Sequence, residues 1–350
     1  MKIIVVILIL FGQVAYALPK FSAKEGKPCS SCHLKSAGGG LRTEEGMKYG
    51  QSMLPVKDWQ SEFVLPHLTN KISDFVSAGA DIETMYKRSR SDDETPIITE
   101  GAQLYKANLY VGINFAKNVF GYGSLGVDQK NEFFGLINIP SINCSFIAGK
   151  FVPNYGLKLE DEHAFVRSRL DLSWEDGNPA SPGVQISFSP GSWNISGGVF
   201  NGPLKGTGTE FVGKIENIFS LSENFHTLLG ANVMYRDSYK STTYGGYAVF
   251  GIKDFSLTGE ADVISTSGVN GVVAYAEGSY RLISGLDAFI SYDYFDQDLD
   301  LITGTLSRYN FGAEFYPFQS VKVKPSFSIT KNSKSNKNGN EIRALFHFYF

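Results

Sequence analysis

The chain has 350 residues, 43% of them hydrophobic and 14% aromatic, and a formal net charge of −3 with no basic cluster. That balance gives no reason to expect a nucleic-acid partner, and three cysteines in a chain of this length do not make a disulfide framework. No stretch is long and apolar enough to cross a membrane as a helix, which needs about 20 residues.

Residues 1–17 have the form of a secretory signal peptide. Lys2 is the positive start, Ile3 to Phe11 is the apolar run, and Ala15-Tyr16-Ala17 is the cleavage site. The mature chain is expected to begin near Leu18. Residues 18–70 then hold the motif with the sharpest chemistry, Cys29-Ser30-Ser31-Cys32-His33. C-x-x-C-H is the attachment signature of a c-type haem. The Cys29 and Cys32 sulfurs add to the haem vinyl groups as thioethers, and His33 reaches the iron as proximal axial ligand. A bare C-x-x-C also suits a redox disulfide or half a zinc site, but there is no second C-x-x-C and His33 follows without a gap. One covalent haem c is therefore expected, and export agrees with it, because attachment takes place outside the bacterial inner membrane. Cys144 is left alone and reads as a small side chain in a strand.

The same segment contains Pro19, Pro28, Pro55 and Pro66 and shows no strand alternation. It is too short for an apolar core of its own, a lack that a covalent haem commonly makes good. Thr43, with Glu44 and Glu45 after it, reads as the capped start of a short helix running towards Met53. Met47, Met53 and His67 are the candidates for the sixth iron ligand. Met53 is favoured because it ends the helix with a free loop behind it. A thioether there raises the haem potential relative to a second imidazole.

From residue 71 to Phe350 the pattern is that of strands. In Leu104 to Val111, and more clearly in Phe255 to Val263, apolar and polar residues alternate with period two, as in strands with one lipid face and one wet face. Short connections at Pro190-Gly191, Lys253-Asp254, Ser284-Gly285 and Pro317-Phe318 contrast with longer polar ones at 89–100, 174–182, 297–304 and 331–340. Outer-membrane barrels have this asymmetry, with the short turns on the periplasmic side. The spacing predicts sixteen strands between 73 and 350, among them 142–152 and 163–174. The stretch 131–139 reads as loop, because an added strand would put 89–101 on the periplasmic side. Ile342, Ala344, Phe346, Phe348 and Phe350 form one face of the last strand, with Glu341, Arg343, His347 and Tyr349 on the other. An alternating apolar strand ending in Phe resembles the C-terminal signal of barrel proteins. The predicted fold is thus all-β, an antiparallel transmembrane barrel (71–350) with a small α/irregular haem segment (18–70) in or below its lumen.

The stretch Leu18 to His33, with its Pro-x-Phe, a Gly three residues before the first Cys and the haem motif, resembles the entry sequence of the outer-membrane cytochrome–porin fusions of iron-oxidising bacteria. Leu41 to Tyr49, with Thr43 and Gly46, resembles that family's next segment. Ala148 to Leu157, followed by Glu160 to Arg167, is similar to a motif of phosphate-type porins. The likeness covers the haem segment closely and the barrel as architecture. It implies an electron conduit between extracellular Fe(II) and a periplasmic c-type cytochrome, embedded in outer-membrane lipid, and so a possible Fe(II):cytochrome c oxidoreductase. Geometry argues the same way. A barrel wall about 25 Å tall separates donor from acceptor, and a haem within the lumen shortens the electron's path. Two alternatives stand beside this: a diffusion porin whose haem plug is structural or sensory, and a conduit running outward to an extracellular acceptor. The acidic residues Asp92, Asp93, Glu94, Asp296, Asp298 and Asp300 either concentrate cations at the outer face or are ordinary solvated loop charge, the second being favoured.

Overall fold

The computed structural model describes residues 19–27, 31–35, 38–57, 68–91, 98–127, 130–174, 177–202, 208–301, 304–333 and 337–350. The expected signal peptide, Cys29, His67 and the acidic residues Asp92, Asp93 and Glu94 lie outside them.

Sixteen strands pair in sequence order and close on themselves. They are β1 (Val76–Ser91), β2 (Ile98–Ala116), β3 (Val119–Gly126), β4 (Glu132–Ile139), β5 (Cys144–Phe151), β6 (Ser181–Phe188), β7 (Trp193–Asn201), β8 (Thr209–Ser222), β9 (Phe225–Arg236), β10 (Ser241–Ile252), β11 (Phe255–Thr266), β12 (Val269–Ile283), β13 (Leu286–Asp296), β14 (Leu306–Phe315), β15 (Val321–Asn332) and β16 (Lys337–Tyr349). The seam is antiparallel, with Asp81 opposite Tyr349 and Glu83 opposite His347. Closure leaves no strand edge exposed, which is what lets a sheet exist in lipid.

The sequence pattern explains which side faces out. On β11, Phe255 and Leu257 are exposed while Ser256, Thr258, Glu260 and Asp262 are buried. On β16, Ile342, Phe346 and Phe348 point out, and Arg343, His347 and Tyr349 point in. Apolar outside and polar inside reverses the soluble arrangement and suits a lipid-facing wall. The tight turns lie at one end, helped by left-handed residues such as Lys253, Gly191 and Gly285.

Two stretches exchange roles relative to expectation. Residues 131–139, read as loop, form β4, and 163–174, read as strand, form none. β4 alternates like its neighbours, with Glu132, Phe134 and Leu136 turned inward, where Phe134 stacks on Tyr122 at 4.6 Å and meets Phe151 edge-on at 5.8 Å; counting 163–174 as a strand is what left no place for it. Residues 163–174 instead belong to a long connection between β5 and β6 that is packed inside the barrel, where Leu170 and Leu172 are almost fully buried. The two differences cancel in the count, so the strand number is as expected, while the strand at 142–152 becomes the fifth and runs opposite to the expected direction. A register shift in the β1–β2 pairing passes over Tyr105, and Tyr105 and Lys106 both line the lumen. Strict alternation across Leu104 to Val111 therefore breaks at this bulge.

Candidate functional site

The lumen is occupied by the chain itself, from two directions. The N-terminal segment brings two helices, α1 (Pro19–Glu25) and α2 (Glu44–Ser52). α1 packs against β9, β10 and β11, where Gly251 leaves room for the backbone of Ala23. Ion pairs tie the segment to the wall: Lys20 to Glu314, Lys24 to Asp287 at 3.5 Å, Lys35 to Glu132 at 2.6 Å and Arg42 to Asp81 at 3.6 Å. Buried pairs of this kind contribute little net stability, but removing one partner is costly, so they fix where the segment sits.

The second occupant is the connection 152–180. Tyr155 donates to Asp262 at 2.7 Å, the Leu157 amide to Glu260 at 3.0 Å and the Phe165 amide to Asp293 at 2.8 Å. Arg308 binds Asp161 at 3.0 Å, Lys322 and Lys324 bind Glu160, and Arg236 donates to the Leu170 carbonyl at 2.7 Å. The polar inner residues of β8 to β15 are thus the docking surface for this loop. At Asp161, burial raises the carboxyl's pKa, but Arg308 and Arg343 outweigh it and hold the group well below the usual carboxylate range.

Where the two occupants meet, the motif residues are found. Cys32 and His33 are both 9% exposed. Thr43 caps α2 by accepting from the Gly46 amide at 3.2 Å, and its own amide donates to the Cys32 carbonyl at 3.0 Å. A Cβ at Gly46 would collide with the Cys32 backbone, so α2 lies directly on the haem-motif segment and only glycine permits it. Burial raises the Cys32 thiol's pKa to about 11 and, with Arg42 beside it, lowers that of His33 to about 3. The imidazole is therefore neutral at physiological pH, and its Nδ1 is buried without a hydrogen-bond partner.

Two cavities border His33. One, of ≈ 70 Å³, is walled by Phe21, Cys32, Tyr49, Leu54, Tyr316 and Tyr349. The other, of ≈ 160 Å³, lies against Tyr105, Lys106, Tyr110, Lys158 and Trp174. Flat aromatic walls, a thiol and a neutral imidazole with a free nitrogen are what a covalently held haem would need, and these residues fit it. Met47 is buried and Met53, the C-cap of α2, is 50% exposed, and neither lines either cavity.

At the end away from the tight turns, a vestibule of ≈ 480 Å³ is lined by Lys87, Arg90, His163, Arg169 and Arg308, with Glu341 as its carboxylate. The acidic loop residues near it serve the backbone: Asp296 accepts from the Asp298 amide and Asp298 from the Asp300 amide, each at 3.1 Å. Asp296 itself is buried, so it is not ordinary solvated loop charge. What sequence reasoning missed is the wall's share of the site. Asp81, Lys106 and His347 surround the motif, and their only signal was a polar residue at an inward position.

A closed sixteen-strand barrel with an inward-folded loop, an occupied lumen and an apolar outer wall defines the class: a porin-like β-barrel. No protein-family model matches the chain, and no curated protein does. Among solved structures it is similar to an anion-selective porin from Comamonas acidovorans, with TM-score 0.59 and 10% identity over 79% of this chain and 99% of that one. It is also similar to the outer membrane channel DcaP of Acinetobacter baumannii (0.57, 10%, 81% and 100%) and to Pseudomonas putida OprB (0.57, 8%, 79% and 94%). Identities this low establish the fold alone.

Proposed function

We propose that the barrel lies in the bacterial outer membrane and carries one haem c in its lumen, bound through Cys29, Cys32 and His33, and that it passes electrons between the two sides. The observation that supports this is the burial of Cys32 and His33 against α2, beside an aromatic-walled cavity, in a lumen otherwise filled by the chain. When bound, the haem supplies a one-electron iron couple. The protein's part is to hold it. Gly46 brings α2 onto the Cys32 backbone, the surrounding walls leave His33 9% exposed, and the plug's ion pairs fix its position. Extracellular Fe(II) as donor and a periplasmic c-type cytochrome as acceptor are the partners proposed, following the resemblance of residues 18–49 to the iron-oxidisers' fusions. Outward flow uses the same parts.

A second reading is a solute channel. The basic vestibule of Lys87, Arg90, Arg169 and Arg308 favours it, since that lining attracts anions. The first test is haem content. The full chain, expressed with a cytochrome c maturation system and run on a denaturing gel, is expected to retain haem covalently. Cys29→Ala/Cys32→Ala should lose it and still give a heat-modifiable barrel. A wild-type barrel without covalent haem refutes the proposal and leaves the channel reading.

A further inference from the structure

C-x-x-C-H supplies one imidazole to the iron; the opposite ligand comes from elsewhere. Resting on the haem reading above, we infer that His347 of β16 is the sixth ligand, so that the barrel wall itself closes the coordination sphere.

Both cavities beside His33 are also lined by His347, Arg42 and Glu160. Arg42 has no lone pair to give, and Glu160 is taken by Lys322 and Lys324. His347 differs. Its Nε2 meets Asp81 at 3.2 Å, while its Nδ1 is buried without a hydrogen-bond partner. The residue as a whole is 9% exposed. Leaving a buried nitrogen unpaired is unfavourable, and the lumen does so on both histidines that border these cavities.

An imidazole with one nitrogen on a fixed carboxylate and the other free has the arrangement of a metal-ligating histidine. Asp81 is well fixed: Lys106 lies at 3.1 Å, Tyr110 donates at 2.7 Å and Arg42 stands at 3.6 Å. The Tyr349 ring, 5.0 Å from that of His347, limits its rotation. The favoured sequence candidate, Met53, is half exposed and lines neither cavity. Two imidazoles in place of a methionine–histidine pair lower the potential, which bears on what donor can reduce the site.

The test uses the full-length holoprotein in detergent. Near-infrared magnetic circular dichroism and low-temperature paramagnetic resonance of the oxidised wild type should give the low-spin signature of two imidazoles. His347→Gln should turn high-spin and recover low spin with added imidazole, and His347→Met should raise the midpoint potential. A methionine charge-transfer band in the wild type, or His347→Gln with unchanged spin state and potential, overturns the assignment even though haem is bound. If His347→Gln fails to assemble, His347→Met decides, because its side chain still fills the position: a methionine charge-transfer band and a raised potential support the assignment, and wild-type spectra and potential in that variant overturn it in favour of another histidine. Absence of covalent haem in the wild type overturns the haem reading instead, so the two failures are told apart.

Discussion

Gly46 concentrates the argument at the scale of single residues. Its missing side chain lets α2 rest on the Cys32 backbone, and Thr43 both caps that helix and ties it to the Cys32 carbonyl. Gly46→Val would drive atoms into backbone, a kind of overpacking that costs about 1–3 kcal/mol. We expect covalent haem per barrel to fall several-fold while heat-modifiability is kept; unchanged haem content would mean that this contact does not matter for attachment. Thr43, Gly46 and the C-x-x-C-H run were legible in the sequence because each is a local signal. His347 and Asp81 were not, since they are 266 positions apart and meet only because β1 and β16 close the barrel.

At the scale of elements, period-two alternation identified strands such as β11 and β16, whose inner faces are polar or charged. It misread 163–174, where Leu170 and Leu172 mimic a strand while buried in the lumen, and that extra strand excluded β4 from the up–down count although Glu132, Phe134 and Leu136 alternate inward on it. Alternation reports two unlike environments but not which two, so a segment packed within the lumen can imitate a strand of the wall. The docked loop offers a test. Arg308 and Arg343 more than offset burial at Asp161, so its folded pKa is depressed. That stabilisation is complete above the unfolded value of about 3.9 and is lost only as pH falls through the lower folded value. The loop should therefore stay docked at pH 5, and Asp161→Asn should loosen it at any pH. Breaking such a pair costs about 3–5 kcal/mol, and the lower end applies because Arg308 keeps Asp293 at 2.8 Å. Limited proteolysis within 152–180 and a rise in single-channel conductance would register the change; a variant as resistant and as closed as wild type would contradict it.

For the whole molecule, the same architecture serves two opposite ends. An open lumen passes solutes, whereas this one is filled by its own chain and, on the function proposed above, would hold a haem that passes electrons. The N-terminal segment and the loop 152–180 meet inside the barrel, with Cys32 and His33 beside wall residues towards the tight-turn end, Tyr316 and Tyr349 among them. The central claim is that electrons cross where solutes do not, and sealed proteoliposomes of known orientation test it most directly. An external Fe(II) complex too large for any pore is expected to reduce the haem and then an oxidised cytochrome trapped inside, while a small solute stays out. His33→Ala should abolish this transfer and keep the barrel. If the trapped cytochrome is reduced only after the vesicles are permeabilised, or if small solutes cross while electrons do not, the account is contradicted.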